Sequence, residues 1–419
     1  MDIAKIRTPT ALLALFGAII VALMLLLSPA PGANAATWTV KGGGFGHGVG
    51  MSSYGSYGYA THGWSYRKIL RHYYQHTRVR DLRKSHIVRV LLNVDPGNAY
   101  FSGAKRACGI KLNPKRTYGA KLHGTHVRLV RRSGKKLANC GTRLRTDNDG
   151  KVVFKGLGRY RGGFEAVASE SSGSLNVVNA VDVNAYVKGV IPNEAIPSWP
   201  MTALRVQAVA ARSIALTGSV GGNGFDLYND TRSQVYGGYD TELHRTNKAA
   251  SDTSNEVVSY KGKVALAMFS ASSGGHTENV ENVFYSSAVP YLEGVKDTYD
   301  DVSPYHRWVR SYSSSEMNSL LGGYVSGRLK KVVITKYGVS KRIVWARLYG
   351  TGGVTKIRGD TFQYALGLLD KLVFSVKRHK GSAGSSSVKS EAAQPLLSGS
   401  GTILPSAVPS NAPATTSEG

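Results

Sequence analysis

The segment Tyr186-Val187-Lys188-Gly189-Val190-Ile191-Pro192-Asn193-Glu194 ends an apolar run on one carboxylate, placed two residues after a proline and shortly before a helix start at Pro200. A helix N-terminus favours the ionised form of such a group, and apolar neighbours such as Ile196 and Trp199 favour the protonated form. If desolvation wins, Glu194 is the kind of acid that can hand a proton to a leaving sugar oxygen. The competing role is structural, as a cap or as the partner of Arg205 or Arg212, and composition alone favours that role. Gln207 and Arg212 lie five apart, off a common helical ridge, and both can reach a cleft beside Glu194 or serve as ordinary helix polarity.

Two further stretches carry chemistry-bearing residues. Ser270-Ala271-Ser272-Ser273-Gly274-Gly275-His276-Thr277-Glu278 combines hydroxyls with a glycine pair, so that backbone N–H groups can approach a sugar or carboxylate closely. It is not a G-x-S-x-G elbow, and a tight turn is the equal alternative. Gly42–Met51 (GGGFGHGVGM) matches neither a dinucleotide fingerprint nor a P-loop. His47 and Gly48 in it read as substrate contacts, or His47 as a buried structural hydrogen bonder. His72 and His76 have metal-pair spacing but no evident third ligand, so surface histidines are the better reading. No metal and no organic cofactor is expected.

The elements that must position these residues are short. Trp38–Val40 reads as a strand. Tyr66, Ile69, Leu70 and Tyr73 fall at helical spacing. Residues 86–180 read as all-β, with runs at 87–92, 127–130, 151–154 and 175–178 separated by turn chemistry. Asp182 can cap a short helix through Tyr186 and Val190. Ser198 and Pro200 start a second helix that Gly218 ends. Residues 263–270, 329–336, 343–349 and 371–377 read as strands. With 49 glycines in 419 residues, the fold class is α+β, strand-rich with a few short helices around Glu194. The expected divisions are 1–35, a leader; 36–85, the Gly-rich segment packing on the core; 86–180, the β-rich subdomain; 181–378, the core catalytic region; and 379–419, a tail of Ser, Gly, Ala and Pro too polar to repay its ordering entropy.

Lys5 and Arg7 precede an apolar run from Ala11 to Leu27, and Ala33-Asn34-Ala35 follows, the pattern of an export signal cleaved after Ala35. A retained membrane anchor is the alternative. The chain is therefore expected to be secreted, at the cell wall or the outer face of the cytoplasmic membrane. Cys108 and Cys140 then pair. The net charge of +27 steers the protein to polyanions, outside the cell to anionic wall polymers or lipid headgroups. No zinc-finger spacing or aromatic RNA-binding motif supports nucleic acid.

Three stretches, Tyr186–Ala215, Phe269–Tyr299 and Gly44–Thr77, resemble the sporulation stage II protein D / amidase-enhancer family, and with weaker segments the resemblance covers most of residues 38–377. It implies a lytic transglycosylase in which Glu194 is acid and base at the muramic acid–glucosamine bond of peptidoglycan. Gln207, Arg212, Ser272, Ser273, Gly274, Gly275, His47 and Gly48 would line the glycan cleft. The amidase-enhancer branch implies a non-enzymatic alternative, a glycan binder that stimulates a cell-wall amidase. Two departures stand out. The GHGVGM stretch comes first here, whereas the family carries it near its C-terminal end. That order resembles a circular permutation and predicts that Gly42–Met51 packs against strands from 343–377. Ser233 stands where some members carry a cysteine, which argues against zinc.

Overall fold

A computed structural model of the protein describes residues 36–147, 150–169 and 173–379. The expected leader and the readings of cleavage or anchoring lie outside them, as does the polar tail from residue 380. His379, assigned by composition to that tail, is instead the last residue of the strand Val373–His379 and pairs with Thr37.

The chain is a mixed, strand-rich α+β protein. Residues 87–182 fold into two antiparallel sheets whose apolar faces share one core. The six-stranded sheet runs in the order Lys136–Asn139, His126–Arg131, Tyr118–His123, Asn98–Ser102, Lys151–Phe154, Gly158–Arg161. The second sheet contains Arg143–Arg145, Gly163–Ser169, Ser174–Asp182, Ile87–Asp95 and, added in parallel, Leu227–Tyr228. Alternation drives this packing. Val88, Val90, Phe101, Ala120, Val127, Leu129, Phe154 and Phe164 point inward, with the rings of Phe101 and Phe164 stacked at 4.5 Å. Cys108 and Cys140 are joined by a disulfide across 5.5 Å between their Cα atoms. Closing a loop of this length stabilises by roughly 3–4 kcal/mol through the unfolded chain.

The last long strand of this unit leads directly into the helix Val183–Glu194, capped by Asp182, whose carboxylate accepts from Asn184 N–H at 2.9 Å. The sequence reading ended this helix near Val190, before Pro192. The structure carries it through Pro192 to Glu194, since a proline only has to forgo one N–H donor and the last turn is secured by Ala195 N–H to Ile191 C=O at 2.9 Å. The helix Met201–Thr217 follows, with Pro200 and Gly218 at its ends. Its alanines let it be buried on nearly all sides, among them Ala203, Ala208, Ala210 and Ala211.

The strand expected at 263–270 is two fragments, Lys263–Val264 and Phe269–Ser270. The carbonyls between them are taken by other partners. Met268 C=O accepts from Met51 N–H at 3.0 Å and, with Ala267 C=O, from the Tyr74 hydroxyl.

The strand Thr37–Gly42 lies between Trp308–Ser313 and Val373–His379, antiparallel to both. The glycine segment continues across residues 369–372, with Gly43 N–H on Leu372 C=O and Gly46 N–H on Leu369 C=O. Gly48 has φ +73°, and a Cβ there would overlap the guanidinium of Arg342. That guanidinium is fully buried. It donates to both oxygens of buried Asp370 at 2.9 and 2.5 Å and to the carbonyls of His276 and Ser273. Asp370→Ala would strand this charge and is expected to cost about 3–5 kcal/mol of stability. A shift in the denaturant midpoint no larger than that of a surface pair such as Arg159–Asp240 would refute a keystone role for the pair.

Candidate active site

Glu194 closes its helix with its side chain turned inward, and the residue is 3% exposed. One oxygen, Oε1, accepts the Val235 N–H at 2.8 Å. The other, Oε2, is buried with no hydrogen-bond partner in the protein. Burial therefore pushes the carboxyl up from 4.5 to about 7, and the single N–H bond from Val235 only partly opposes it. The structural alternatives posed by the sequence do not apply. Arg205 is paired with Asp252 at 2.6 Å. Arg212, fully buried, directs its guanidinium to Asn184 Oδ1 and to the carbonyls of Ala208, Glu256 and Ala250. Its expected place in a glycan cleft has no support in this arrangement; it ties the interior ends of three segments together instead.

Gln207 stays with Glu194 as a candidate. On the next helix, its Oε1 accepts from the Ser53 hydroxyl at 3.3 Å, and its Nε2 is buried without an acceptor. Gln234, beside Val235, donates to Ala211 C=O at 3.2 Å and to the Tyr186 hydroxyl at 3.4 Å, while its Oε1 is also unpartnered. Orphaned polar atoms in an interior are costly unless water or a ligand completes them. Past Glu194, Trp199 packs against Tyr54 and the half-buried Tyr57, with ring centroids 5.1 and 5.2 Å away. Tyr54 continues to Tyr305, and Tyr305 to Phe45.

The serine–glycine stretch is built differently from the expectation. Ser272 and Ser273 are fully buried, and their hydroxyls face inward. Ser272 donates to Asp300 at 2.8 Å and Ser273 to Asp297 at 2.7 Å. The N–H groups of Ser273 and Gly274 also end on Asp300, and Gly275 N–H on Ser273 Oγ. Asp300 further accepts from Ser52 Oγ at 2.7 Å and faces His306 Nδ1 at 3.0 Å. These donors, expected to face sugar, are occupied by two interior carboxylates. His47 lies in the glycine loop with Nδ1 accepting from Val49 N–H at 3.0 Å; burial, then Arg342, holds it down at about 4, so it is a neutral imidazole. Gly48 N–H donates to Ser270 Oγ at 3.2 Å. Among the described residues, neither makes a hydrogen bond to Glu194. His72 Nε2 lies 3.0 Å from both the Tyr59 hydroxyl and Lys296 C=O. Ser233 Oγ accepts from Tyr228 N–H within a local turn.

Sequence reasoning missed Val235, Gln234, Ser53 and the Asp297–Asp300 pair. A detectable signal for the last was three acids, Asp297, Asp300 and Asp301, within five residues of a strongly basic chain.

This site and fold define a class: a strand-rich α+β protein presenting one desolvated, unpaired glutamic acid at a helix end. Over part of its length the chain is similar to the sporulation stage II protein D / amidase-enhancer family. The Stage II sporulation protein family matches residues 171–260, the stretch that contains Glu194, Gln207 and Val235. An uncharacterised protein of Brachyspira hyodysenteriae is 42% identical over 156 residues, covering 36% of this chain and 41% of that protein. The amidase enhancer of Bacillus subtilis is 41% identical over 133 residues, 32% of this chain and 18% of that protein. The stage II sporulation protein D of Bacillus subtilis is 29% identical over 167 residues, 36% of this chain and 48% of that protein. Each match therefore spans less than half of the relative's own length.

A raised folded-state pKa makes Glu194 stabilising relative to its ionised form at low pH; that contribution is complete below about 4.5 and is lost as pH rises through about 7. Glu194→Gln removes the effect. Relative to wild type, the variant is expected to gain about 3 kcal/mol of stability between pH 4 and pH 8. Parallel denaturation curves for the two proteins across that range would mean that the carboxyl is not desolvated.

Proposed function

We propose that the protein acts on the glycan strands of peptidoglycan as a lytic transglycosylase, exported to the cell wall or the outer face of the cytoplasmic membrane, with Glu194 as its acid and base. The observation that carries this reading is the buried, partnerless Oε2 of a carboxyl held near neutrality. The protonated acid donates to the glycosidic oxygen between muramic acid and glucosamine, and the C1–O bond breaks through an oxocarbenium-like state. The resulting carboxylate takes the proton of the muramic C6 hydroxyl as that oxygen bonds to C1. The products are a free glucosamine-end hydroxyl and a 1,6-anhydro-muramic ring; no water is added. One carboxyl serves both steps, so no second catalytic carboxylate is required. Gln207, on the following helix and with an idle N–H, would hold substrate, and the Trp199–Tyr57 wall offers an amphipathic face for a sugar ring.

The order of segments fits a circular permutation within the family. The N-terminal strand Thr37–Gly42 sits between Trp308–Ser313 and Val373–His379, so the two ends of the described chain lie side by side.

The 41% identity to an amidase enhancer favours a second reading, a glycan-binding partner of a wall amidase without turnover of its own. Peptide-stripped glycan strands distinguish the two. Incubation with the purified protein is expected to yield anhydro-muramic ends by mass spectrometry, and Glu194→Gln to lower that rate by about 10²–10⁴. The rate should fall as pH rises past about 7, where the acid form is depleted. Absence of anhydro ends together with glycan retention by Glu194→Gln would overturn the enzymatic reading in favour of the binding one.

A further inference from the structure

No Asp or Glu occurs between Asp95 and Asp147, while thirteen Lys and Arg residues do. The six-stranded sheet is built largely from this stretch. On its outward side, Lys121 stands directly opposite Arg128, and His123 opposite His126. Like charges facing each other across strands destabilise a hairpin, so a fold that retains them benefits from an anion outside. At one end of the same hairpin is a cavity of about 420 Å³ lined by Lys115, Arg116, Thr117, Tyr118, Arg131, Arg132 and Ser133. None of its four cations has an ion-pair or side-chain hydrogen-bond partner among the described residues. The nearby acids are otherwise engaged. Glu165 faces Arg89, Arg143 and Arg145. Asp147 accepts the N–H groups of Lys105 and Arg106, and Asp95 those of Gly97 and Asn98.

We propose that this cavity and the outward hairpin face beside it form a binding site for an anionic polymer of phosphodiester units, separate from the Glu194 site. Three arginines and one lysine lining the cavity together with Thr117 and Ser133 suit tetrahedral phosphate oxygens, with Arg116 and Arg132 able to bind bidentately. The Lys121–Arg128 row extends the charge along the sheet, which fits a polymer more than a lone ion. The outward positions 121, 123, 126 and 128 are Lys, His, His and Arg, a row of hydrogen-bond donors with no Trp, Tyr or Phe among them, which suits a polyol-phosphate chain better than the aromatic platforms typical of single-stranded nucleic-acid binders. The one aromatic side chain lining the cavity, Tyr118, is buried, and no aliphatic side chain lines it, which disfavours a lipid surface.

The test uses the full chain and fluorescent poly(glycerol phosphate), read by anisotropy at two salt concentrations. R116E/R132E is compared with K330E/K336E, which places the same charge reversal on an exposed strand elsewhere. Cavity reversal is expected to weaken binding at least about tenfold and flatten its salt dependence, and the remote reversal to change it less than about twofold. Equal losses in the two variants would show that net charge alone attracts the polymer and would overturn the site. Equal affinity for a polyglutamate of matched charge would overturn the phosphodiester assignment, and tighter binding of single-stranded DNA or of anionic vesicles would replace it. Anhydro-end formation on short peptide-stripped glycan fragments free of any phosphodiester polymer is expected at the wild-type rate for R116E/R132E, so this proposal and the reading of Glu194 fail separately.

Discussion

Removing a lone carboxyl from water without giving it a cation is the constraint around which the rest of the site is arranged. A buried charge normally acquires a partner or loses its charge. Glu194 lies in a strongly basic chain, yet the two nearest arginines after it in sequence, Arg205 and Arg212, are engaged elsewhere. Arg205 is paired with Asp252, which also holds Lys248. Arg212 is enclosed by carbonyls that lie 28 to 44 residues from it in sequence, and it is what fixes Asn184 and the chain at Ala250 and Glu256 around the helix pair. The positions of these two cations leave the acid near Val235 with one N–H bond and a free oxygen.

Other buried carboxyls show that a shifted pKa does not by itself mark a reactive group. Asp297 is also pushed up to about 7, by burial and then by neighbouring Asp300, but its oxygens are occupied by the Tyr73 and Ser273 hydroxyls. Glu278 is held below its ordinary value because Ser340, Asn282 and backbone N–H groups together outweigh its burial. Asp370 is raised by burial yet sits in a two-point pair with Arg342. These three join the glycine loop, the Ser272–Gly275 turn and the C-terminal strands. Among the described residues, only Glu194 combines a raised pKa with an oxygen left without a hydrogen-bond partner.

Much of the frame was legible because it depends on local rules. Asp182 caps a helix, Gly218 ends one, the spacing of Tyr66, Ile69, Leu70 and Tyr73 marked another, and alternation marked the strands that enclose Phe101 and Phe164. What was not legible depends on direction. Ser272 and Ser273 have the residue types of a sugar-binding turn, but which side their hydroxyls face is decided by Asp297 and Asp300 some 24 to 28 residues away. Arg212 has the type of a substrate clamp and the partners of a structural tie. The break at residues 265–268 arises the same way, since Tyr74 and Met51 claim carbonyls that a regular strand would have used. Residue type and spacing fix what a side chain can bond, not which of several distant groups reaches it first.

The chain's charge sharpens the point about Glu194. A strongly positive protein favours the ionised form of every carboxylate in it, which would lower this acid. The effect on Glu194 is nevertheless upward, with burial as the largest cause. The two influences differ in range. Exposed cations act through solvent in which charge is screened over about 8 Å at physiological salt. Desolvation acts at the oxygen itself and is not screened. Distance therefore allows one chain to carry a basic surface suited to anionic polymers and, inside, an acid that keeps its proton near neutral pH. Placing one of the free arginines of the β-rich unit within a few ångströms of Oε2 would lower that acid, so the separation of cationic surface from catalytic carboxyl is itself a requirement of the proposed chemistry.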